Sequence, residues 1–340
     1  MLAKPPTAPW GPGRTARSSV LEQMNLTIDV VIPVHGGWKH TERCLVALAG
    51  QTVAHRVFVV DNDSPDDTVD RVRAGFPSVT VIEMGENAGY GRAVNAGAAA
   101  GDGDVVVALN NDVACAPDFL ERAVEPFTDP TVGATVPLLL RPGGALIDAF
   151  GLSVDATLAC FVRLQGSPLE SLGAGVPTPA LLGPHGGAAP YRRSALEAIG
   201  GFDERIFFYG EDLDVALRLR AAGWRSVEAP AARAVHENGA TAGKRSAWQR
   251  EHGGFGRGYV LRRYGVLRSR AGLRAAATEL AVVVGDLLIS RDLAAARGRV
   301  AGWRAGGHAG QRVPPPVGGS AIGFRESLRL RLADYGLLRH

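Results

Sequence analysis

Four apolar runs separated by helix-like text constrain this chain most. They are "TIDVVIPV" (27–34), "HRVFVVDN" (55–62), "SVTVIEM" (78–84) and "DVVVALNND" (104–112), rich in the β-branched residues that suit strands. The intervening "HTERCLVALAGQ", "DDTVDRVRAGF" and "GYGRAVNAGAAAG" carry apolar positions three or four apart, as one face of a helix does. Such alternation predicts an α/β fold with a mostly parallel central sheet and helices on both faces. Ligands in these sheets bind at the carboxyl ends of the strands. Pro33-Val34, Asp61-Asn62 and Asn110-Asn111-Asp112 all fall at such ends, so polar groups collect where a ligand belongs. Asp61 stands in "DNDSPDD", text full of turn and N-cap formers, and capping a turn is an equal reading of it.

With 340 residues and 46 % hydrophobic content the chain can bury a sizeable core, which excludes a disordered class. Cys44, Cys115 and Cys160 lack paired spacing, so neither a disulfide framework nor a cysteine zinc site is indicated, and a reducing cytosol is the expected compartment. Residues 1–26, rich in Pro, Gly, Ser and Arg, read as a disordered leader. No stretch reaches the roughly 20 apolar residues of a spanning helix. A phosphate loop and a dinucleotide fingerprint after the first strand are both missing.

After residue 137 the text loosens into Gly- and Pro-rich segments, read as irregular structure lining an acceptor side of the cleft. Regularity returns in "GGAAPYRRSALEAIGGFDERIFFYGEDLDVALRLRAAGW" (186–224). Ser194 and Glu197 read as a capping box for a short helix that Gly200-Gly201 ends. The next helix starts near Glu211, which puts Glu211 and Asp212 in its first turn, where the helix dipole favours carboxylates. The aromatic run Phe207, Phe208 and Tyr209 sets them against an apolar wall, as suits proton transfer.

The ordered series "VVIPVHGG", "VVDNDSPDDT", "ENAGYGRAVNAG", "LNND", the 186–224 segment and "VHENG" resembles the family 2 glycosyltransferases, inverting enzymes of the GT-A fold, and within them the bacterial rhamnosyltransferase type. The resemblance covers about residues 27–240, taken as the catalytic domain. It implies that "LNND" fills the place of the Asp-x-Asp metal motif, with Asp112 on a divalent cation, Mg²⁺ or Mn²⁺, and Asn110 where many relatives carry the first Asp. It places His236 on the metal, Asp212 as catalytic base with Glu211 beside it, and Pro33, Val34, Asp61, Asn87, Gly89, Arg92, Asn95 and Asn111 around the donor. The implied reaction moves a sugar, rhamnose from a deoxythymidine-diphosphate donor being the favoured case, to a hydroxyl of a glycan, polyprenyl-linked or small-molecule acceptor. Two other readings stay open on the residues: a sugar-nucleotide pyrophosphorylase, and a non-catalytic nucleotide-sugar or carbohydrate-binding scaffold.

Charge is unevenly spread. Residues 1–232 carry 18 Lys and Arg against 27 Asp and Glu, whereas residues 233–340 carry 19 against 7. The basic stretch 241–340 is expected to be a helical extension, with one helix over 273–297 bearing an apolar stripe. Packing of that stripe on the catalytic domain and peripheral contact with an anionic membrane at its inner face are both consistent with this pattern, while nucleic acid is not an expected partner.

Overall fold

The structure is a computed structural model describing residues 26–173, 178–237, 246–315, 317 and 321–334. The leader expected over 1–26 therefore lies outside the described residues except for Leu26.

The four apolar runs form β1 (Ile28–Val34), β2 (Arg56–Asp61), β3 (Thr80–Glu83) and β4 (Val105–Leu109), which pair in parallel in the order β3-β2-β1-β4. Successive residues of these strands serve opposite cores, the period-two consequence of the pleat. Val30, Ile32, Val57, Val59, Val105 and Val107 join one apolar cluster, while Val31, Phe58, Val60, Val106 and Ala108 join the other. The first cluster is covered by α1 (Trp38–Ala49), α2 (Thr68–Gly75) and, beyond β5 (Val113–Cys115), α4 (Phe119–Val124). The second is covered by α3 (Tyr90–Ala100), whose Gly97 lets the helix lie directly on Val31. A run that is apolar on both faces is thus a strand sandwiched between helices.

The sheet continues through β10 (Ala188–Arg192), inserted antiparallel between β4 and β6 (Val132–Leu140). Beyond β6 lie β11 (Arg225–His236), parallel to it, and β5, antiparallel to β11. β7 (Ile147–Ala149) pairs antiparallel with β6, and β8 (Leu152–Val154) with β9 (Cys160–Val162) makes a separate ribbon. Six of the nine main-sheet strands therefore run in one sense, with β5, β7 and β10 against it. Helices α5 (Arg193–Ala198) and α6 (Glu211–Ala221) complete the cover of the second cluster.

The capping box expected at Ser194 is not formed. Arg192 occupies the N-cap of α5, Ser194 lies inside the helix, and no side chain caps it. The start is fixed instead by Arg193, whose backbone N–H donates to the Asp104 carbonyl and whose guanidinium donates to buried Asp29 at 2.8 Å. Tertiary anchoring of one arginine outweighs the local cap.

Beyond residue 245 come α7 (Ala247–Arg263), α8 (Gly272–Ser290), α9 (Ala294–His308) and α10 (Phe324–Asp334). The single helix expected over 273–297 breaks at Arg291, which is left-handed at φ 54°, and Asp292 accepts from the Ala294 N–H to open α9. Helices α7 and α9 lie side by side in the same sense at backbone contact. A Cβ on Gly298 or Gly302 would overlap the carbonyl oxygen of Glu251 or Phe255. Among the described residues no helix is long and apolar enough to cross a membrane.

This contact gives a sign-reversing pair of substitutions. Gly302→Ala forces the helices apart and should lower unfolding stability by roughly 3 kcal/mol. Gly253→Ala, on the same helix pair but with no atom within 4 Å of the added Cβ, should raise it by up to about 1 kcal/mol. Denaturant titration of both variants checks the account, and equal effects would contradict it.

Candidate active site

The carboxyl ends of β1 and β4 open into a cleft of about 610 Å³, closed on its other sides by the loop before β10, the start of α6 and the start of α7. Sheet pairing builds its acidic end. The register of β11 against β5 sets His236 opposite Val113, and so beside Asp112 on the turn that ends β4. His236 Nε2 lies 3.2 Å from Asp112 Oδ1, and its Nδ1 lies 2.8 Å from Asp148 Oδ2 on β7. All three residues are buried. Burial opposes charge on His236, but hydrogen bonds to Asp112 and Asp148 outweigh it and push the imidazole up to about 9. Asp112 Oδ1 is buried and meets the His236 Nε2, so its charge is shared with the imidazole unless a cation takes that place.

The second acidic pair sits at the head of α6. Gly210, at φ 101°, turns the chain into this helix without a side-chain cap. Tyr209 before it is also left-handed, at φ 66°, a conformation costly for a bulky side chain. Its ring is held edge-on to Phe208 at 4.7 Å and to Trp248 at 6.1 Å between centroids. Asp212 Oδ2 accepts from the Gly186 N–H at 3.2 Å and its Oδ1 from the Leu213 N–H at 2.7 Å. Glu211 is buried with Oε2 unpartnered, and burial followed by the neighbouring Asp212 charge raises its carboxyl to about 8. The two acidic pairs meet across two glycines: Gly186 touches Asp212, and Gly187 faces the His236 ring. Tyr90 fixes this floor by donating to the Gly186 carbonyl at 2.8 Å.

The candidates named from sequence divide by position. Pro33, Val34, Asn87, Gly89, Asn110, Asn111, Asp112, Glu211, Asp212 and His236 all line the cleft. Asn111 donates to Thr41 Oγ1 at 2.9 Å and to the Gly36 carbonyl at 3.3 Å, and so ties α1 and the Gly36-Gly37 loop to the end of β4. Asp61 lies behind the lining, accepting from the Ser64 N–H, while its neighbour Asn62 reaches the cleft. Arg92 and Asn95 are placed off the cleft. Arg92 pairs with Glu86 at 2.7 Å, and Asn95 bonds both the Phe202 backbone and Glu204. They sit two and five residues into α3, past the turn that faces the cavity.

Four residues stand out among those not anticipated. His185, in "GPHGG", lines the cleft, and its Nδ1 accepts from the Gly187 N–H at 3.1 Å. Trp248 and Gln249 reach the cavity from α7. Asp148 orients His236 from behind. No local pattern marks Asp148, since its place depends on the pairing of β7 with β6.

Comparison with known proteins agrees with this geometry. The description "Glycosyl transferase family 2" matches residues 29–200, just over half of the chain. The chain is 31% identical over 249 residues to N-acetylglucosaminyl-diphospho-decaprenol L-rhamnosyltransferase of Mycobacterium tuberculosis, covering 65% of this chain and 79% of that protein. It is 31% identical over 218 residues to pre-mycofactocin glycosyltransferase of the same organism, covering 62% and 43%. Among solved structures it is similar to mannosyltransferase PcManGT from Pyrobaculum calidifontis in complex with GDP-Man and Mn²⁺, with TM-score 0.52 and 20% identity over 92% of this chain and 81% of that one. It is also similar to GalNAc-T7 with UDP, GalNAc and Mn²⁺, with TM-score 0.55 and 18% identity over 70% and 48%. The alternating strands, the strand-end acids and these matches lead to one conclusion: the chain belongs to glycosyl transferase family 2 and is a glycosyltransferase of the GT-A fold.

Proposed function

We propose that this glycosyltransferase moves a deoxyhexose, rhamnose, from a deoxythymidine-diphosphate donor to a hydroxyl of a polyprenyl-diphosphate-linked glycan, in a single inverting displacement with Asp212 as base. The carrying observation is that Asp112-His236 and Asp212 flank one two-glycine floor in a cleft large enough for a nucleotide sugar. The likeness to a decaprenol-linked rhamnosyltransferase supports the choice of donor and acceptor.

In this reading Pro33, Val34 and Asn62 bound the nucleoside, and the diphosphate lies toward Asp112. The residues present fit a divalent cation that displaces the proton between Asp112 and His236: Asp112 would offer a buried oxygen and His236 its Nε2, and Asp148 behind His236 supplies the carboxylate–histidine relay usual for a metal-bound imidazole. Among the described residues no third His, Cys, Asp or Glu joins them, so phosphate oxygens and water would complete the shell, as Mg²⁺ and Mn²⁺ prefer. Bound there, the cation would neutralise charge on the departing diphosphate.

The chain's own groups perform the rest. The acceptor oxygen attacks the anomeric carbon and its proton passes to the Asp212 carboxylate, while the bond to the diphosphate breaks and carries its electron pair away. The helix N-terminus and the Gly186 N–H hold that carboxylate in place. Glu211, kept protonated by burial, stands beside it without adding a second negative charge. One base opposite the leaving group implies inversion, unlike the paired carboxyls of glycoside hydrolysis.

Two measurements check these roles. Asp212→Asn should retain donor affinity while turnover falls by about two to four decades, whereas near-normal turnover would remove Asp212 from the mechanism. Glu211 gives a stability signature. Its folded value of about 8 lies above the reference 4.5, so the folded state binds the proton more tightly. The stabilisation is complete below 4.5 and is lost as pH rises through 8, with a slope of at most about 1.4 kcal/mol per pH unit. Glu211→Gln should flatten this part of the pH–stability profile, and an unchanged profile would show that Glu211 is ionised in the fold.

A further inference from the structure

Helix α8 is attached to the protein by charge rather than by a core. Only Gly272 and Ala275 of its 19 residues are buried. Its inward face is held by Glu279, which accepts from Arg257 at 2.6 Å and Arg299 at 2.9 Å. The outward face carries Leu280, Val284, Leu287 and Leu288 at helical spacing, and Ile289 and Leu293 are also exposed at the turn into α9. Leu280 is 67% exposed, Leu288 72% and Ile289 59%. A contiguous apolar stripe of this kind marks a contact surface.

Its position and charge indicate what it contacts. Arg250 of α7 pairs with Asp292, which ties the α8–α9 turn to the first turn of α7. That same first turn sends Trp248 and Gln249 into the cleft, so the apolar tip lies about one helix diameter, roughly 10 Å, from the cleft wall. Trp248 is itself 40% exposed, an amphipathic ring at the rim. Exposed Arg291, Arg297 and Arg304 flank the stripe along the turn and the outer face of α9. An apolar helix face edged by arginines is the pattern of an interfacial helix. A two-fold dimer through this face would set these arginines against their own copies, whereas an anionic surface complements them.

We infer that the outer face of α8 and its turn into α9 insert into the headgroup region of an anionic bilayer, so that the cleft opens at the level where a polyprenyl-linked acceptor presents its sugar. Binding follows from the α8 surface itself; only its purpose rests on the acceptor reading above. Leu287 and Leu288 supply the apolar contact, and Arg291, Arg297 and Arg304 the attraction. Because α7 packs on the catalytic loop, the test uses point substitutions in the full chain, not a truncation.

Flotation with vesicles of about one-third phosphatidylglycerol in phosphatidylcholine tests this. The wild-type chain should float at low salt and retain part of its binding at high salt, since apolar insertion is not screened. Leu287→Glu combined with Leu288→Glu should lose about tenfold or more of the bound fraction. The double variant should keep the wild-type melting temperature and nucleoside-diphosphate release with a water-soluble acceptor. Lack of wild-type flotation, wild-type binding by the double variant, or binding fully lost at high salt would each overturn the insertion. A dimer seen by light scattering that the double variant dissolves, without vesicle binding, would assign the face to a second copy instead. Vesicle binding lost in the double variant, with no sugar transfer by the wild type, would leave this inference standing and defeat the acceptor reading.

Discussion

Four carboxyl groups, Asp112, Asp148, Glu211 and Asp212, crowd around one cleft, and their mutual repulsion is the constraint that the rest of the site resolves. Like charges a few ångströms apart at a partly buried site are costly. The chain answers in three ways. It clamps a histidinium between Asp112 and Asp148, keeps Glu211 protonated, and sets Asp212 on a helix N-terminus with the Gly186 N–H on its outer oxygen. Asp112 Oδ1 is buried against the His236 Nε2, where a cation could replace the shared proton. A site balanced in this way suits a cation better than a neutral ligand.

The same electrostatic economy reaches the C-terminal helices. Gly256 of α7 lies so close to Tyr209 that a Cβ there would overlap the tyrosine carbonyl oxygen. Tyr259 donates to Asp203 at 2.6 Å and Tyr264 to Asp214 at 2.7 Å, while Arg312 pairs with both acids. Asp203 and Asp214 bracket the strained turn that presents Glu211 and Asp212. The basic region beyond residue 245 thus neutralises acids close to Glu211 and Asp212 and holds the left-handed Tyr209 in place. This explains in part why the chain is acidic before residue 233 and basic after it.

Much of this was legible in the sequence because it is local. Residues apolar on both alternating faces predicted β1, β2 and β4, and the polar groups at their ends marked the cleft. The first-turn acids of α6 were readable from "YGEDLD" and the apolar spacing after it. What sequence periodicity could not convey was long-range pairing. The end of β6 and all of β7, β8 and β9 lay in text read as loosening after residue 137, and nothing in the regular text over 186–224 foretold that β10 would insert antiparallel. Asp148 and His185 are single polar residues in Gly-rich stretches, given meaning only by strands that meet far apart in the chain. Asn95 shows the converse: a well-placed amide whose hydrogen bonds serve the Phe202 turn. Glycines at 254, 258, 298 and 302 carry no apolar signal in the sequence, yet they are where two helices touch backbone to backbone.

The central claim is that Asp112 and His236, once it has given up the proton it shares with Asp112, hold a cation that receives the donor's diphosphate. Calorimetric titration of deoxythymidine diphosphate into the wild-type chain and into Asp112→Ala, with Mn²⁺ and with chelator, tests it most directly. The account predicts that Mn²⁺ tightens binding by about tenfold or more in the wild type and leaves the variant unchanged. Equal affinities in all four titrations would contradict it.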